Sequence, residues 1–224
     1  PRVAPGAVKL EEITYDEMLE LASQGAQVLH NRSVELAKKY HVNMEVVSSL
    51  ERKPGTKVKE VVKMEKTNIA GVAKDTSIAR IAVVGLDHNP GVAFRVFSLL
   101  GKAGINVDAI IQSIGRDTSK DISFTLPRAD VEEAVRVLEE QKGALHFDHL
   151  TVEDKIAKVS IVGAGMMTTP GVAAKMFEAL YDANINIQMI NTSEIRVSVL
   201  IDEEDAVAAV RAVHDKFFGD DSFS

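Results

Sequence analysis

The chain has 224 residues, of which 46% are hydrophobic and 26% are charged, so it has enough apolar material for packed cores. It contains no cysteine, which excludes disulfide frameworks, zinc ribbons, iron–sulfur clusters and thiol catalysis. Its net charge of −7 disfavours a nucleic-acid binder, and its longest uncharged stretch, residues 159–174, is too short to span a bilayer. No secretory leader is recognisable, so we expect a cytoplasmic protein without nucleic-acid or membrane partners. Because the chain starts at Pro1 and not at a methionine, we also expect a piece of a longer protein.

The first fifty residues carry alternating helix and strand signals. Thr14 and Glu17 form a capping-box pattern, which predicts a helix over residues 15–24. The next helix and strand are predicted at residues 31–40 and 42–48. Because so short an α/β segment cannot bury both faces of a strand, we expect residues 1–50 to be the end of a larger domain.

Two short segments follow before the main body of the chain. Residues 51–66 are strongly charged and contain the turn pair Pro54-Gly55, which predicts an edge hairpin or a linker. Residues 68–73 form an apolar strand pattern that has no partner nearby in the sequence.

An internal repeat accounts for the rest of the chain. Four blocks of the first copy return in the second in the same order: residues 81–85 at 159–163, 90–93 at 170–173, 105–107 at 185–187 and 134–136 at 209–211. The offset is 80 residues for the middle blocks and 75 for the last, so the second copy has a shorter hairpin. Matches on both sides of this length change indicate a duplicated domain.

Each copy has the pattern of a four-stranded antiparallel sheet with two helices on one face, βαββαβ. We predict a first strand from residue 81 and a helix capped by Asn89, or by Thr169 in the second copy. The second strand should cover residues 105–113, with alternate side chains on opposite faces. The remaining strand, helix and closing strand of the first copy are predicted around residues 122–126, 130–138 and 147–152.

The second copy lacks a closing strand, because its last helix runs into a tail at residues 219–224. A sheet without its fourth strand would expose an unpaired edge, which folded proteins usually cover. Residues 67–75 have the length and alternation to fill this place beside residues 156–218. We therefore predict that the first copy, residues 78–154, is nested within the second.

Several separate blocks resemble the aspartokinase family. Lys9-Leu-x-x-Ile-Thr-Tyr-Asp-Glu-Met18, Gly25-Ala-Gln-Val-Leu-His30 and Arg32-Ser33 resemble the end of its catalytic domain, and Val162-Gly-Ala-Gly-Met and Thr192-Ser-Glu-Ile resemble its tandem ACT domains. The resemblance runs over nearly the whole chain. With the nesting, it implies an α+β fold: two ferredoxin-like ACT domains, the first nested in the second, preceded by a remnant of an α/β amino-acid kinase domain.

The resemblance also implies a regulatory role. Aspartokinases phosphorylate the side-chain carboxylate of aspartate with ATP, and ACT pairs of this kind bind lysine or threonine and inhibit the reaction. In this chain Arg2 matches part of a nucleotide-binding motif, whereas Gln27 replaces a lysine that touches nucleotide in relatives. The family's phosphate-binding loop is absent. We therefore expect no catalytic residues and no cofactor in this chain, with ATP and Mg bound by the full-length parent.

The candidate effector site of the first copy begins at a helix N-terminus, whose free amides and partial positive charge suit a carboxylate. Its residues are His88, Asn89, Gly91, Val92 and Ala93. The ammonium group of an amino acid needs acceptors, and one polar strand face offers Asn106, Asp108 and Gln112. Because ACT sheets of this family pack side by side, the resemblance implies that a partner domain completes the site in the seam, through Asn186, Ile187, Thr192 and Glu194.

The resemblance also implies the partners of the chain, and three other functions remain as alternatives. We expect lysine or threonine as effector, a homodimer through the ACT domains, and a kinase catalytic domain or subunit as partner. An acceptor such as Asp108 or Glu194 would favour lysine over threonine. His146 and His149 point to opposite faces of a strand, so no metal site is expected. The alternatives are an ACT pair of another amino-acid enzyme, an enzyme on a ferredoxin-like fold, and a βαββαβ nucleic-acid-binding module, which would need aromatic residues on its open sheet face.

Overall fold

The computed structural model of the chain describes residues 3–26, 28–50, 53–60, 69–87, 89–114 and 120–219. The backbone falls into two compact units: Pro1–Asp75 with Ala157–Ser224, and Thr76–Ile156. Within the described residues, no helix has the length and apolar character needed to cross a membrane.

The N-terminal segment is a small α/β layer. Its elements are β1 (Glu12–Thr14), α1 (Tyr15–Ser23), α2 (Asn31–Lys39), β2 (Met44–Val46) and β3 (Thr56–Lys59). The predicted capping box is present, because the Thr14 side chain accepts from the Glu17 amide and the Glu17 carboxylate accepts from the Thr14 amide. Strand β3 lies between β1, which is parallel to it, and β2, which is antiparallel. An edge hairpin or linker is predicted here, but the structure has a central strand, because Val58 is buried in the core of this layer.

The first repeat is a complete four-stranded antiparallel sheet with its helices on one face. Its elements are β5 (Ile78–Leu86), α3 (Val92–Lys102), β6 (Ile110–Ile114), β7 (Lys120–Pro127), α4 (Val131–Glu140), α5 (Lys142–Leu145) and β8 (His149–Glu153). The strand order is β6-β7-β5-β8. The inward residues predicted for the third strand, Ile122, Phe124 and Leu126, are all buried.

The second repeat has the same order but borrows its fourth strand. Its elements are β4 (Gly71–Asp75), β9 (Ile156–Val162), α6 (Val172–Asp182), β10 (Met189–Ser193), β11 (Arg196–Asp202) and α7 (Ala206–Phe218). The order is β10-β11-β9-β4, with β4 antiparallel to β9 from Gly71 opposite Val162 to Asp75 opposite Lys158. The predicted nesting is therefore confirmed, because a segment before the first repeat completes the sheet of the second.

Two local predictions differ from the structure. The second strand of the first repeat is predicted from residue 105 but begins at Ile110, because the Ala109 amide donates to the Thr125 hydroxyl of β7 at 3.0 Å and so interrupts the regular backbone ladder. The alternation before it is present, since Ile105 and Ala109 are buried whereas Asn106 and Asp108 are exposed. The helices predicted to be capped by Asn89 and Thr169 begin after those residues, as described below.

The face of the second sheet that lies away from its helices is covered by α1 and the turn after it. The Ser160 hydroxyl of β9 donates to the Gln24 side chain, 3.3 Å away, and also bonds with the Ser198 hydroxyl of β11 at 2.7 Å. Leu21 packs against Gly71 of β4, and Gly25 lies against the Lys74 backbone. The central strands β9 and β11 are therefore buried on both faces within one compact unit.

Candidate functional site

Both repeats turn from their first strand into their first helix through a Pro-Gly pair. Helices α3 and α6 begin one residue after Gly91 and Gly171, whose φ angles are 90° and 87°. The caps predicted at Asn89 and Thr169 are wrong, because neither helix has a side-chain cap and the left-handed glycine stands at the N-cap instead. A Cβ at either glycine would meet nothing within 4 Å. Glycine is therefore favoured here by its positive φ angle and not by a lack of space for a side chain.

A cleft opens at this helix N-terminus in the second repeat. It has a volume of about 440 Å³, within the range of small-molecule sites, roughly 300–1,000 Å³. Its lining residues come from the turn before α6, the first turn of α6 and the hairpin between β10 and β11: Met166, Thr169, Gly171, Val172, Ala173, Ser193, Glu194 and Val197. The cleft therefore lies wholly within one repeat, at the site of the repeated Pro-Gly-Val-Ala block.

The lining of the cleft combines three kinds of chemistry. The backbone amides at the start of α6 lie at the positive end of the helix dipole and suit a carboxylate. The carboxylate of Glu194 and the hydroxyls of Thr169 and Ser193 are acceptors that suit an ammonium or a hydroxyl group. Met166 and Val197 add apolar surface for an aliphatic stem. Such a lining can bind a free amino acid through all of its parts.

The predicted residues of the first repeat lie on the corresponding segments. Asn89 and Gly91 are exposed in the turn before α3, Val92 is buried, and Ala93 is half-buried and packs against the core. Asn106, Asp108 and Gln112 are all exposed. His88 and residues 115–119 lie outside the described residues, as do Arg2 and Gln27.

Of the residues predicted in the second repeat, the structure brings one to the cleft. Glu194 lines it from the β10–β11 hairpin. Thr192 is exposed on β10 opposite Val197, Asn186 is exposed before that strand, and Ile187 packs against the hydrophobic core. These three are absent from the residues that line the cleft.

Sequence reasoning missed most of the lining, although a signal for part of it exists. Thr169, Gly171, Val172 and Ala173 stand 80 residues after four predicted site residues of the first repeat, so the repeat itself points to them. Ser193 and Val197 have no comparable signal, because only the fold of the hairpin brings them to the helix. In the described part of the chain, no group of three or more metal-ligating side chains is clustered.

Comparisons with known proteins identify the same two repeated domains. Residues 81–141 and 159–217 match the family described as "ACT domain". "Aspartokinase 2" of Bacillus subtilis is 48% identical over 218 residues, which cover 97% of this chain and 53% of that protein. The chain thus spans about half the length of the curated relatives it matches.

Solved structures show the same likeness. The regulatory subunit of aspartate kinase from Thermus thermophilus is 42% identical with a TM-score of 0.63, and the match covers 67% of this chain and 99% of that one. E. coli aspartokinase III in complex with lysine and aspartate is 26% identical with a TM-score of 0.75, over 97% of this chain and 48% of that one. From the tandem ACT match and these identities, the chain belongs to the aspartokinase family and carries its pair of regulatory ACT domains.

Proposed function

We propose that the chain is a feedback module that binds lysine or threonine and regulates the phosphorylation of aspartate by a kinase catalytic domain. In this proposal ATP and Mg bind to the catalytic domain, and the ACT repeats bind only the effector. The observation that carries the proposal is the 440 Å³ cleft of the second repeat, where a helix N-terminus faces the same space as Glu194.

The cleft favours an α-amino acid over other small metabolites. A free amino acid presents a carboxylate and an ammonium close together, and the cleft offers helix amides and a carboxylate close together. A nucleotide or sugar phosphate would bring several negative charges next to Glu194, which costs binding energy. The related E. coli enzyme, whose structure contains lysine, supports an amino acid as the ligand.

Lysine fits the lining better than threonine. Its side chain adds a four-carbon stem and a second ammonium. Met166 and Val197 offer apolar contact to the stem, Glu194 can pair with one ammonium, and the Thr169 and Ser193 hydroxyls can accept from the other. Threonine would use only a small polar part of the same space. Two further points stay predictions: effectors sit in a seam between two ACT domains, and the chain forms a homodimer through those domains.

Titration calorimetry of the 224-residue chain with lysine, threonine and leucine tests the proposal. We expect lysine to bind and leucine to give no heat. Glu194→Gln should weaken lysine binding about tenfold, the cost of roughly 1.4 kcal/mol for a lost charge-assisted contact. Glu139→Gln, on the exposed surface of α4, is the matched control and should leave binding unchanged.

Each outcome of that titration has a clear meaning. Heat from threonine alone would keep the regulatory function but replace the effector. An equal loss of affinity in the Glu194 and Glu139 variants would place the site outside the cleft. No heat from lysine or threonine at millimolar concentration would overturn the proposed function.

A further inference from the structure

Two of the three segments that line the cleft in the second ACT domain are connected to helix α1, and we call these two its walls. One wall is the 3-10 turn Ala164–Met167, which contributes Met166, and the other is the β10–β11 hairpin, which contributes Glu194. Glu17 and Glu20 lie three residues apart on α1, so their side chains occupy the same side of the helix. Each of these two carboxylates accepts a hydrogen bond from one of the walls.

The first connection runs through the capping box of α1. Oε1 of Glu17 accepts from the Ala164 amide at 2.9 Å, and Oε2 accepts from the amide and hydroxyl of Thr14 at 3.2 and 2.9 Å. Glu17 is only 9% exposed, so these charge-assisted bonds replace most of its contact with water. The same carboxylate therefore holds both the start of α1 and the turn that forms one wall.

The second connection is an ion pair at the base of the hairpin. Nη1 of Arg196 donates to Oε1 of Glu20 at 2.7 Å, and the Gln24 side chain donates to the same oxygen at 3.1 Å. The Arg196 side chain is 13% exposed, and its buried Nε has no acceptor among the described residues. Arg196 thus depends on Glu20 for its counter-charge, and it pairs directly with Ser193, which lines the cleft.

Among the described residues of the first ACT domain, the position that corresponds to Arg196 has a different residue and a different partner. Asp121 stands in the position of Arg196, 75 residues earlier, and its carboxylate accepts from the Gly85 amide at 2.9 Å. That bond closes within the first domain, between its first and third strands. The side chain at this position is therefore used differently in the two domains, so the fold alone does not require the bond from Arg196 to α1.

We propose that Glu17 and Glu20 make helix α1 a sensor of this cleft. A ligand that fills the cleft fixes the turn and the hairpin against each other, and the two carboxylates pass that ordering to the first two turns of α1. The identity of the ligand rests on the function proposed above, whereas the connection itself does not. By thermodynamic linkage, the factor by which the ligand favours the ordered state of α1 equals the factor by which ordering of α1 raises the affinity for the ligand.

Amide hydrogen exchange on the ligand-free chain tests the connection alone. Glu17→Gln and Glu20→Gln should each speed exchange about fivefold or more in the wall they hold, residues 164–167 or 193–197. Glu35→Gln, on an exposed position of α2, is the matched control and should leave both walls unchanged. Glu20→Gln leaves the capping box intact, so it separates the connection from a general loss of α1. Unchanged wall exchange in both glutamine variants would overturn the proposal.

Exchange with saturating lysine, and separately with threonine, then tests the sensing. In the unaltered chain the amides of residues 14–20 should slow about fivefold, and in the Glu17→Gln/Glu20→Gln double variant they should not slow although ligand still binds. Heat of binding without slower exchange in the unaltered chain would overturn the sensor and leave the proposed function standing. No heat from either amino acid would overturn the proposed function, while the ligand-free comparison would still decide the connection.

Discussion

The two ACT repeats share strand order and helix placement, but they differ in what lies on the second face of the sheet. In the first repeat, the outward residues Ala82 and Ser123 are half-buried. In the second repeat, Ser160 and Ser198 occupy the same positions and are buried, because α1 and the turn after it cover them. The difference indicates that the helix-facing pattern specifies the fold, whereas the outward positions specify which further segment docks on it.

The repeats also differ in how the edge next to their first strand is closed. Strand β8 follows α4 and α5 and closes the first sheet from within its own sequence. Strand β4 closes the second sheet from a point more than eighty residues before β9 begins. The first repeat should therefore fold alone, whereas the second depends on the chain that precedes the first.

Deleting residues 1–75 is the largest test of this comparison. We expect residues 78–153 to keep their amide-exchange protection and residues 157–218 to lose it, because the deletion removes both β4 and the cover of α1. Equal protection of both repeats after the deletion would show that the second does not need the borrowed strand.

Gly25→Ala should be the most damaging single substitution at the covered face. Gly25 has a φ of 96°, and an added Cβ would lie 2.3 Å from the Lys74 carbonyl oxygen, so the turn could not approach β4. Strain and clash together should cost about 3 kcal/mol or more in a thermal or urea unfolding experiment. Gly101→Ala within α3, where a Cβ meets nothing within 4 Å, should instead stabilise by about 0.5–1 kcal/mol. Similar losses in both variants would refute the close approach.

The buried hydroxyls of the second sheet give a smaller effect. Gln24 is 2% exposed, and removing its side chain in Gln24→Ala leaves one hydroxyl of the Ser160–Ser198 pair without an acceptor. We expect a loss of about 1–3 kcal/mol in urea denaturation. Adding Ser160→Ala and Ser198→Ala should recover part of this loss, because no buried hydroxyl then remains unsatisfied. No recovery in the triple variant would mean that packing, and not hydrogen bonding, sets the cost.

The sequence predicts the repeats and the nesting because both depend on local patterns. The Pro-Gly-Val-Ala blocks return at a fixed offset, and residues 67–75 have the length and alternation of a strand that can pair beside residues 156–218. These signals need no knowledge of how segments pack. The capping box of α1 is likewise complete within four residues, and the structure contains both of its hydrogen bonds.

The parts that sequence could not predict depend on contacts between distant segments. Strand β1 is three residues long and forms only because β3, more than forty residues later, pairs with it. The predicted helix caps are wrong although Asn89 and Thr169 are good N-cap residues, because the left-handed glycine two positions later stands at the N-cap. The cleft needs Ser193 from a hairpin and Gly171 from a helix, and no local spacing relates them.

A last contrast lies on the second helices of the repeats, where the same arginine has different partners. In α4, Arg136 forms ion pairs with Glu133 and Glu140, one turn away on either side. In α7 the corresponding Arg211 donates from Nε to the carbonyl of Val3 at 2.8 Å. Arg211 of the second repeat thus binds the N-terminal segment, whereas Arg136 of the first repeat forms ion pairs on the surface of its own helix.

Substitution of Glu133 should therefore have the smallest effect of all, and the effect should depend on pH. The hydrogen bond from Arg136 lowers the pKa of Glu133 from its ordinary value, so the ionised carboxylate is favoured in the folded state. Its contribution is present above the unfolded pKa, roughly 4.3, and is lost as the pH falls through the lowered native pKa. Because the Glu133 side chain is 46% exposed to solvent, Glu133→Gln should lower the urea midpoint only slightly at pH 7, less so in high salt, and progressively less as the pH falls through the lowered native pKa. Glu139→Gln on the same helix is the control, and a Glu133 effect that stayed constant down to pH 3 would contradict the ion pair.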